Sequence, residues 1–255
     1  MMKICKILFV AILFFVTTLL SGQNKKVSDD KMNIPYLSIS YSYQFPLADM
    51  AKSFGSNSTI GAGFTYKTQN NFLWGIDWEF LFSGNVKLEE TLFQAITTNH
   101  GIIINGAGQP AVMAISERGN IFSLRFGKVF DVFAHNPNSG LFATGSVGVL
   151  THKIRIDITQ NDVPQLDPDY RKGYDRSSLG PTVGAQFGYI YFDNNRLINF
   201  KAEIEAHYGL TRSIRPYNFD TMAPDHSWKH DFLIGLKISW IIPLYPKAPR
   251  DFYYD

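Results

Sequence analysis

Cysteine is nearly absent from the 255-residue chain: there is one, Cys5. It lies in an apolar N-terminal stretch, so a chain cleaved after Gly22 would carry none. That excludes a disulfide framework, a thiol nucleophile and a thiolate metal site. An excess of either charge is missing too. Removing residues 1–22 takes away Lys3 and Lys6 and no acid, leaving 22 basic residues against 22 acidic ones. Such a balance points to no nucleic-acid partner. Beyond residue 22, no apolar run approaches the ~20 residues that a membrane helix needs. If this chain crosses a membrane, it does so as strands.

The N-terminus reads as an export signal. Lys3 and Lys6 precede the apolar run from Ile7 to Leu20, and Ser21-Gly22 supplies small residues ahead of Gln23. Leu19-Leu20-Ser21-Gly22 looks like a lipoprotein signal, but Gln23 stands where the lipid-accepting cysteine is required. The expected division is a signal peptide at 1–22, a periplasmic lead at 23–34, a barrel at 35–242 and a periplasmic tail at 243–255.

The clearest pattern is 231–242. Phe232, Ile234, Leu236, Ile238, Trp240 and Ile242 alternate with Leu233, Gly235, Lys237, Ser239 and Ile241. Period 2 with one wholly apolar face describes a strand with different surroundings on its two sides. Similar alternation recurs at about 36–45, 58–68, 72–83, 119–130, 140–152, 179–192 and 197–208. In 72–83 the outer face is Phe72, Trp74, Ile76, Trp78, Phe80 and Phe82, with Asp77 and Glu79 opposite. In water that face needs a large covering layer, and no helical layer is apparent; in lipid it needs none. A soluble lipocalin-like barrel would bury apolar side chains inside, whereas here the inner positions carry charge.

Connections between the eight segments alternate in length. Those at 69–71, 131–139 and 193–195 are short, and those at 46–57, 84–118, 159–177 and 209–229 are long. The expected fold is all-β: an eight-stranded antiparallel up-and-down transmembrane β-barrel with short periplasmic turns and long extracellular loops. Leu88, Leu92 and Ile96 are spaced for a short helix, and 105–110 suits the tip of a small hairpin. Past His152 the alternation changes phase, which predicts a bulge there. Trp74, Trp78, Tyr189, Tyr191 and Trp240 suit aromatic girdles, with Lys128 at the headgroup level.

The inward positions hold four bases and four acids: Lys67, Arg125, Lys201 and Lys237 with Asp77, Glu79, Glu203 and Glu205. Eight strands enclose a lumen just wide enough for side chains. Charges confined there must pair. The expectation is a lumen charge network that acts as a salt-bridged plug; the alternative is a narrow conducting path. No catalytic, cofactor or metal residue is expected. Glu203, Glu205 and His207 share a face, but a histidine there simply pairs with carboxylates. His226 and His230 are four apart without a shared helix.

With these features the chain resembles small outer-membrane barrels of the OmpA/OmpX type. Gln23, the segment Val163-Pro164-Gln165-Leu166, the run Arg171-Lys172-Gly173-Tyr174-Asp175-Arg176 and the run Tyr217-Asn218-Phe219-Asp220-Thr221-Met222 are similar to Bacteroidota members described as PorT-like. The chain departs from that pattern in continuing past Ile242. The resemblance implies a non-enzymatic protein of the cell outer membrane, surrounded by outer-membrane lipid. It also implies an accessory role beside another envelope or secretion-machinery protein, linked to type IX secretion or gliding. Two alternatives belong to other classes. One is a small pore. The other is a lipid A-modifying enzyme, which needs a Ser/His pair near the outer leaflet; His152 and His207 are the histidines near outer strand ends.

Overall fold

The computed structural model describes residues 30–158, 163–194 and 198–244, without the side chains of Glu89 and Glu90. The expected signal peptide at 1–22 and most of the expected tail lie outside the described residues. Eight antiparallel strands follow one another: β1 (Ile34–Ala48), β2 (Asn57–Lys67), β3 (Phe72–Ser83), β4 (Ala114–Phe130), β5 (Gly140–Asp157), β6 (Ser178–Phe192), β7 (Asn199–Ser213) and β8 (Trp228–Pro243). Each pairs with its sequence neighbours, and β8 returns to β1, closing the barrel. Closure leaves no sheet edge with unpaired backbone groups, as a strand structure in hydrocarbon requires.

The sequence alternation sorts side chains as expected through the middle of the wall. Leu236 and Ile238 are each 65% exposed and Trp240 is 69% exposed, while Lys237 between them is 2% exposed. Apolar residues outside and a lysine inside is the reverse of a water-soluble protein, and it fits a wall bathed in lipid. Lys128 lies outward with its Nζ 5.1 Å from the centre of the Phe72 ring.

The turns at one end are short. At 68–71 the Asn71 amide donates to the Thr68 carbonyl at 2.9 Å, and Asn71 has φ 63°. Asparagine tolerates that left-handed conformation better than most residues, which accounts for the asparagine-rich turn. Gly140 opens β5 at φ 142°, with Phe130 O 2.2 Å from where a Cβ would sit, so only glycine fits.

Strand ends at the other pole differ from the sequence expectation. Residues 46–48 belong to β1, 114–118 to β4 and 209–213 to β7, so the connections expected at 46–57, 84–118 and 209–229 are shorter, while β5 ends at Asp157 as the expected loop at 159–177 allows. The bulge at His152 is also corrected. Register with β4 runs unbroken from Ala114↔Asp157 through Gly119↔His152 to Phe130↔Leu141. The backbone keeps its period; the surroundings change. Above His152 the inward residues Ile154 and Ile156 are buried and the outward Lys153 and Arg155 are not. There the outside is water and the inside is packed with loop residues.

Those loops form a cap. A short helix (Met50–Ser53), a second (Glu89–Leu92) and a 3-10 turn (Gln94–Ile96) bring Met50, Phe54, Leu92 and Phe93 onto Leu81, Ile121, Leu150 and Ile154 of the strands. The helical spacing of Leu88, Leu92 and Ile96 thus serves the cap, with Leu92 fully buried. At the turn end a second apolar cluster of Ile34, Tyr36, Leu73, Val129, Phe142, Ile190, Phe192 and Ile241 fills the lumen.

Candidate functional site

Between the two apolar clusters lies a polar layer. Lys237 on β8 reaches across the lumen to Glu79 on β3, and its Nζ is 3.1 Å from Glu205 and 3.9 Å from Glu203 on β7. Its directly opposed residue on β7 is Glu203, so the flexible stem leans diagonally to Glu205. Arg125 on β4 is 3.1 Å from Asp77 and 3.1 Å from Glu203. Lys201 sits 3.2 Å from Glu203 and 5.6 Å from the centre of the Phe142 ring, where the polar layer meets the lower cluster. Gln44 donates to Glu205 at 2.7 Å. All of these side chains are buried. Buried ion pairs are screened much less than exposed ones, so each carboxylate depends on its cation.

Glycine makes room for this layer. A Cβ on Gly63 would come within 2.3 Å of Asp77 Oδ1, so a larger residue would dislodge the carboxylate that faces Arg125. On the β5–β6 side the lumen is neutral: Thr144 donates to Gln186 at 2.8 Å, and Gln186 donates to Ser146 at 2.9 Å.

Lys67, grouped with these charges in the sequence, stands apart. Its Nζ donates to Asn138 Oδ1 at 2.9 Å at the turn end. Asn138 also accepts from the Met32 amide at 3.0 Å. The Asn136-Pro137-Asn138 turn therefore latches the lead-in to β1, and Lys67 belongs to that latch. The central layer then holds four carboxylates against Arg125, Lys201 and Lys237. His207, 3.5 Å from Glu205, is the group able to supply a fourth positive charge when protonated.

Ligand atoms of Glu79, Glu205 and His207 lie within 4.8 Å of one another. The ammonium of Lys237 bonds to both carboxylates and takes the place a cation would occupy. Of the other pair, His230 is tied to the Tyr208 hydroxyl at 2.6 Å, while His226 is exposed in the loop before β8.

Sequence reasoning missed a second polar group, set just under the cap. His152 Nε2 is 2.9 Å from Asp231, and Thr211 donates to the same carboxylate at 2.5 Å. Asn57 donates to the buried Glu117 at 3.3 Å. Asp231 and Glu117 lie on inward positions of β8 and β4, so inward parity was the available signal. Their distance from the lumen centre hid them.

The loops above interlock. Asp175 receives two hydrogen bonds from Arg215, at 2.9 and 2.5 Å, and Arg176 pairs with Asp220. Tyr174 packs between Phe93 and Phe219 at ring-centre distances of 5.5 and 5.4 Å. The segments 171–176 and 217–222, on which the PorT-like resemblance rests, meet each other here.

No family model matches the chain, and no curated protein matches it. Among the solved structures it resembles are outer-membrane barrels. The attachment invasion locus protein Ail of Yersinia pestis is 9% identical, with 83% of this chain and 99% of that one covered at a TM-score of 0.43. OprG from Pseudomonas aeruginosa is 11% identical, covering 86% and 99% at a TM-score of 0.36. The N-terminal barrel of Pseudomonas aeruginosa OprF is 13% identical, covering 81% and 97% at 0.35. Identity this low speaks to the fold alone, and the fold rests on the strand order and closure of this chain.

Proposed function

We propose that this protein is a closed, non-enzymatic barrel of the outer membrane whose loop cap binds another envelope protein. The observation that carries the reading is the filled lumen. An apolar cluster under the loops, the ion-paired layer around Lys237 and Arg125, and a second apolar cluster at the turns lie one below another. With these layers stacked, neither water nor an ion has a continuous polar route. That favours a scaffold over the small pore.

The part left to interact is the outside of the cap. Val112 is 75% exposed, Met222 60%, Tyr170 57% and Ile214 54%, and all stand on the loops above the lipid band. A contiguous exposed apolar patch marks an interaction site, and these residues on the interlocked loops are the ones offered for such a contact. The histidines proposed for lipid A chemistry point away from lipid: His152 is held by Asp231 and His207 faces Glu205, which disfavours the enzyme reading. The PorT-like resemblance extends this reading to an accessory part in type IX secretion or gliding, with residues 1–22 directing export.

Planar-bilayer recording on refolded protein tests the plug: the expected result is no steady current, and stable single-channel steps overturn it. Affinity capture from intact membranes through a tag at Asn105 tests the binding role. One envelope protein, enriched and lost on Met222→Glu with Tyr170→Glu, is expected; no loss in that variant sinks the cap as the contact. Unimpaired secretion after deletion would remove the type IX link, and an altered lipid A mass spectrum would revive the enzyme.

A further inference from the structure

Just above the lipid band the outer wall turns basic. Trp78 is 44% exposed on the outer face, and its indole N–H donates to Asn120 at 3.1 Å. An indole with a wet partner marks the membrane–water boundary. The next rung outward on the same face places Arg118 opposite Lys153, and Arg155 follows. The 163–177 loop and its neighbour arch over these strands and add Arg171, Lys172 and Arg215. Together they line a recess of about 800 Å³.

Six cations line the recess, and Asp175 is the acid among its lining residues. Asp175 is engaged by Arg215, Arg155 is 3.3 Å from Asp157, and Lys172 is 2.8 Å from Asp169. Three cations remain without a carboxylate among the described residues: Arg118, Lys153 and Arg171. Arg118 donates to the Glu117 carbonyl at 2.6 Å. Arg171 Nε is buried without a hydrogen-bond partner. A buried guanidinium N–H left unmatched is costly, and guanidinium forks fit phosphate oxygens. Arg118 and Lys153 stand on the outer face of β4 and β5, one rung beyond the Trp78–Asn120 pair.

We infer that this recess binds the phosphate groups of the outer-leaflet glycolipid, seating a lipid A headgroup against β4 and β5. The inference rests on the outer-membrane reading and names the lipid that the wall recognises. The shared chemistry with a free phosphate is the anion itself; the difference is the acyl chains, which the apolar band under the recess, Phe122 and Val149 among it, would cover.

The test uses refolded full-length barrel in a neutral detergent, with thermal unfolding and binding read against added diphosphoryl lipid A. The other arms are dephosphorylated lipid A, phosphatidylglycerol and inorganic phosphate. Diphosphoryl lipid A is expected to raise the melting temperature, and the other three to do so much less. Arg118→Gln with Lys153→Gln and Arg171→Gln should weaken the binding by on the order of a hundredfold, since a basic residue near an anionic lipid surface contributes about fivefold. Lys31→Gln with Lys52→Gln, which removes distant lysines, should leave it unchanged. Equal binding by the triple variant, or an equal effect of inorganic phosphate, overturns the proposal. A triple variant that fails to refold is replaced by Lys153→Glu alone, for which an unchanged affinity also overturns it. Orientation is read separately: a cysteine replacing Asp167 should label from outside intact cells and one replacing Asn70 should not. Labelling at Asn70 refutes the membrane reading, whereas correct labelling with no lipid A response refutes the recess alone.

Discussion

The lower and upper halves of this wall are built to opposite rules on one unbroken backbone. Around Lys237 the outside is apolar and the inside charged; around Ile154 the inside is apolar and the outside charged. The strands carry through both regions with constant register. What reverses is the medium: lipid outside and confined polar space inside below, water outside and packed loops inside above. Side-chain parity in a strand is geometric, but which parity is apolar depends on what each face meets. The comparison teaches that a phase change in hydrophobicity need not be a bulge. It can be a membrane boundary.

The sharpest way to break that comparison is to remove the charge the lower half holds inside. Lys237 touches Glu79 and Glu205, and all three side chains are buried. Lys237→Met should cost roughly 3–5 kcal/mol, the usual penalty for leaving a buried partner charged and alone. Glu205→Gln on that background should return part of the loss. Chemical unfolding of the single and double variants measures both. A silent Lys237→Met with altered bilayer conductance would mean that water screens the layer, and the plug would have to be abandoned.

The second effect sits on the outer face. Leu236→Arg lies near the middle of β8 and should cost roughly 2–4 kcal/mol in a bilayer. Lys153→Leu, outward on the upper wall, should stay within about 0.5 kcal/mol in a glycolipid-free bilayer, as surface changes do. Equal tolerance at the two positions would erase the boundary drawn between them.

That boundary also explains what was legible in the sequence. The eight strands and their closure follow from alternation and from the long and short connections, because one face met a uniform solvent. The inward charges Asp77, Glu79, Arg125, Lys201, Glu203, Glu205 and Lys237 were visible by parity, and the structure brings these seven together. Lys67 shares their parity but not their height, and parity carries no height. The cap was only hinted at, by Leu88, Leu92 and Ile96, since its packing joins loops distant in sequence. Arg118 and Lys153 are 35 positions apart and meet only through β4–β5 register, so the basic recess has no local signature.

A third, smaller effect concerns the upper interior. Ile154 is fully buried among cap residues. Ile154→Val should cost about 0.5–1.5 kcal/mol, and the same in detergent as in a bilayer, because protein fills the space around it. A loss seen in bilayers alone would place Ile154 in the membrane and move the boundary upward.

The smallest effect tests whether the upper region is truly wet. In the loop before β8, burial would raise the Asp225 carboxyl. Hydrogen bonds from Ser227 and the ammonium of Lys229, 2.9 Å away, outweigh this and hold it at about 2. An unfolded aspartate titrates near ~3.9. Because the folded value is the lower one, the carboxylate's contribution is complete above about pH 4 and fades as the pH falls toward 2. The pair is half-buried on a surface loop, where a single ion pair is worth little, so the contribution is small. Asp225→Asn should melt slightly below the parent at pH 6, and the gap should close as the pH approaches 2. A gap that persists unchanged at pH 2 would mean that the carboxylate's charge contributes nothing, and that Asp225 holds the loop by shape alone.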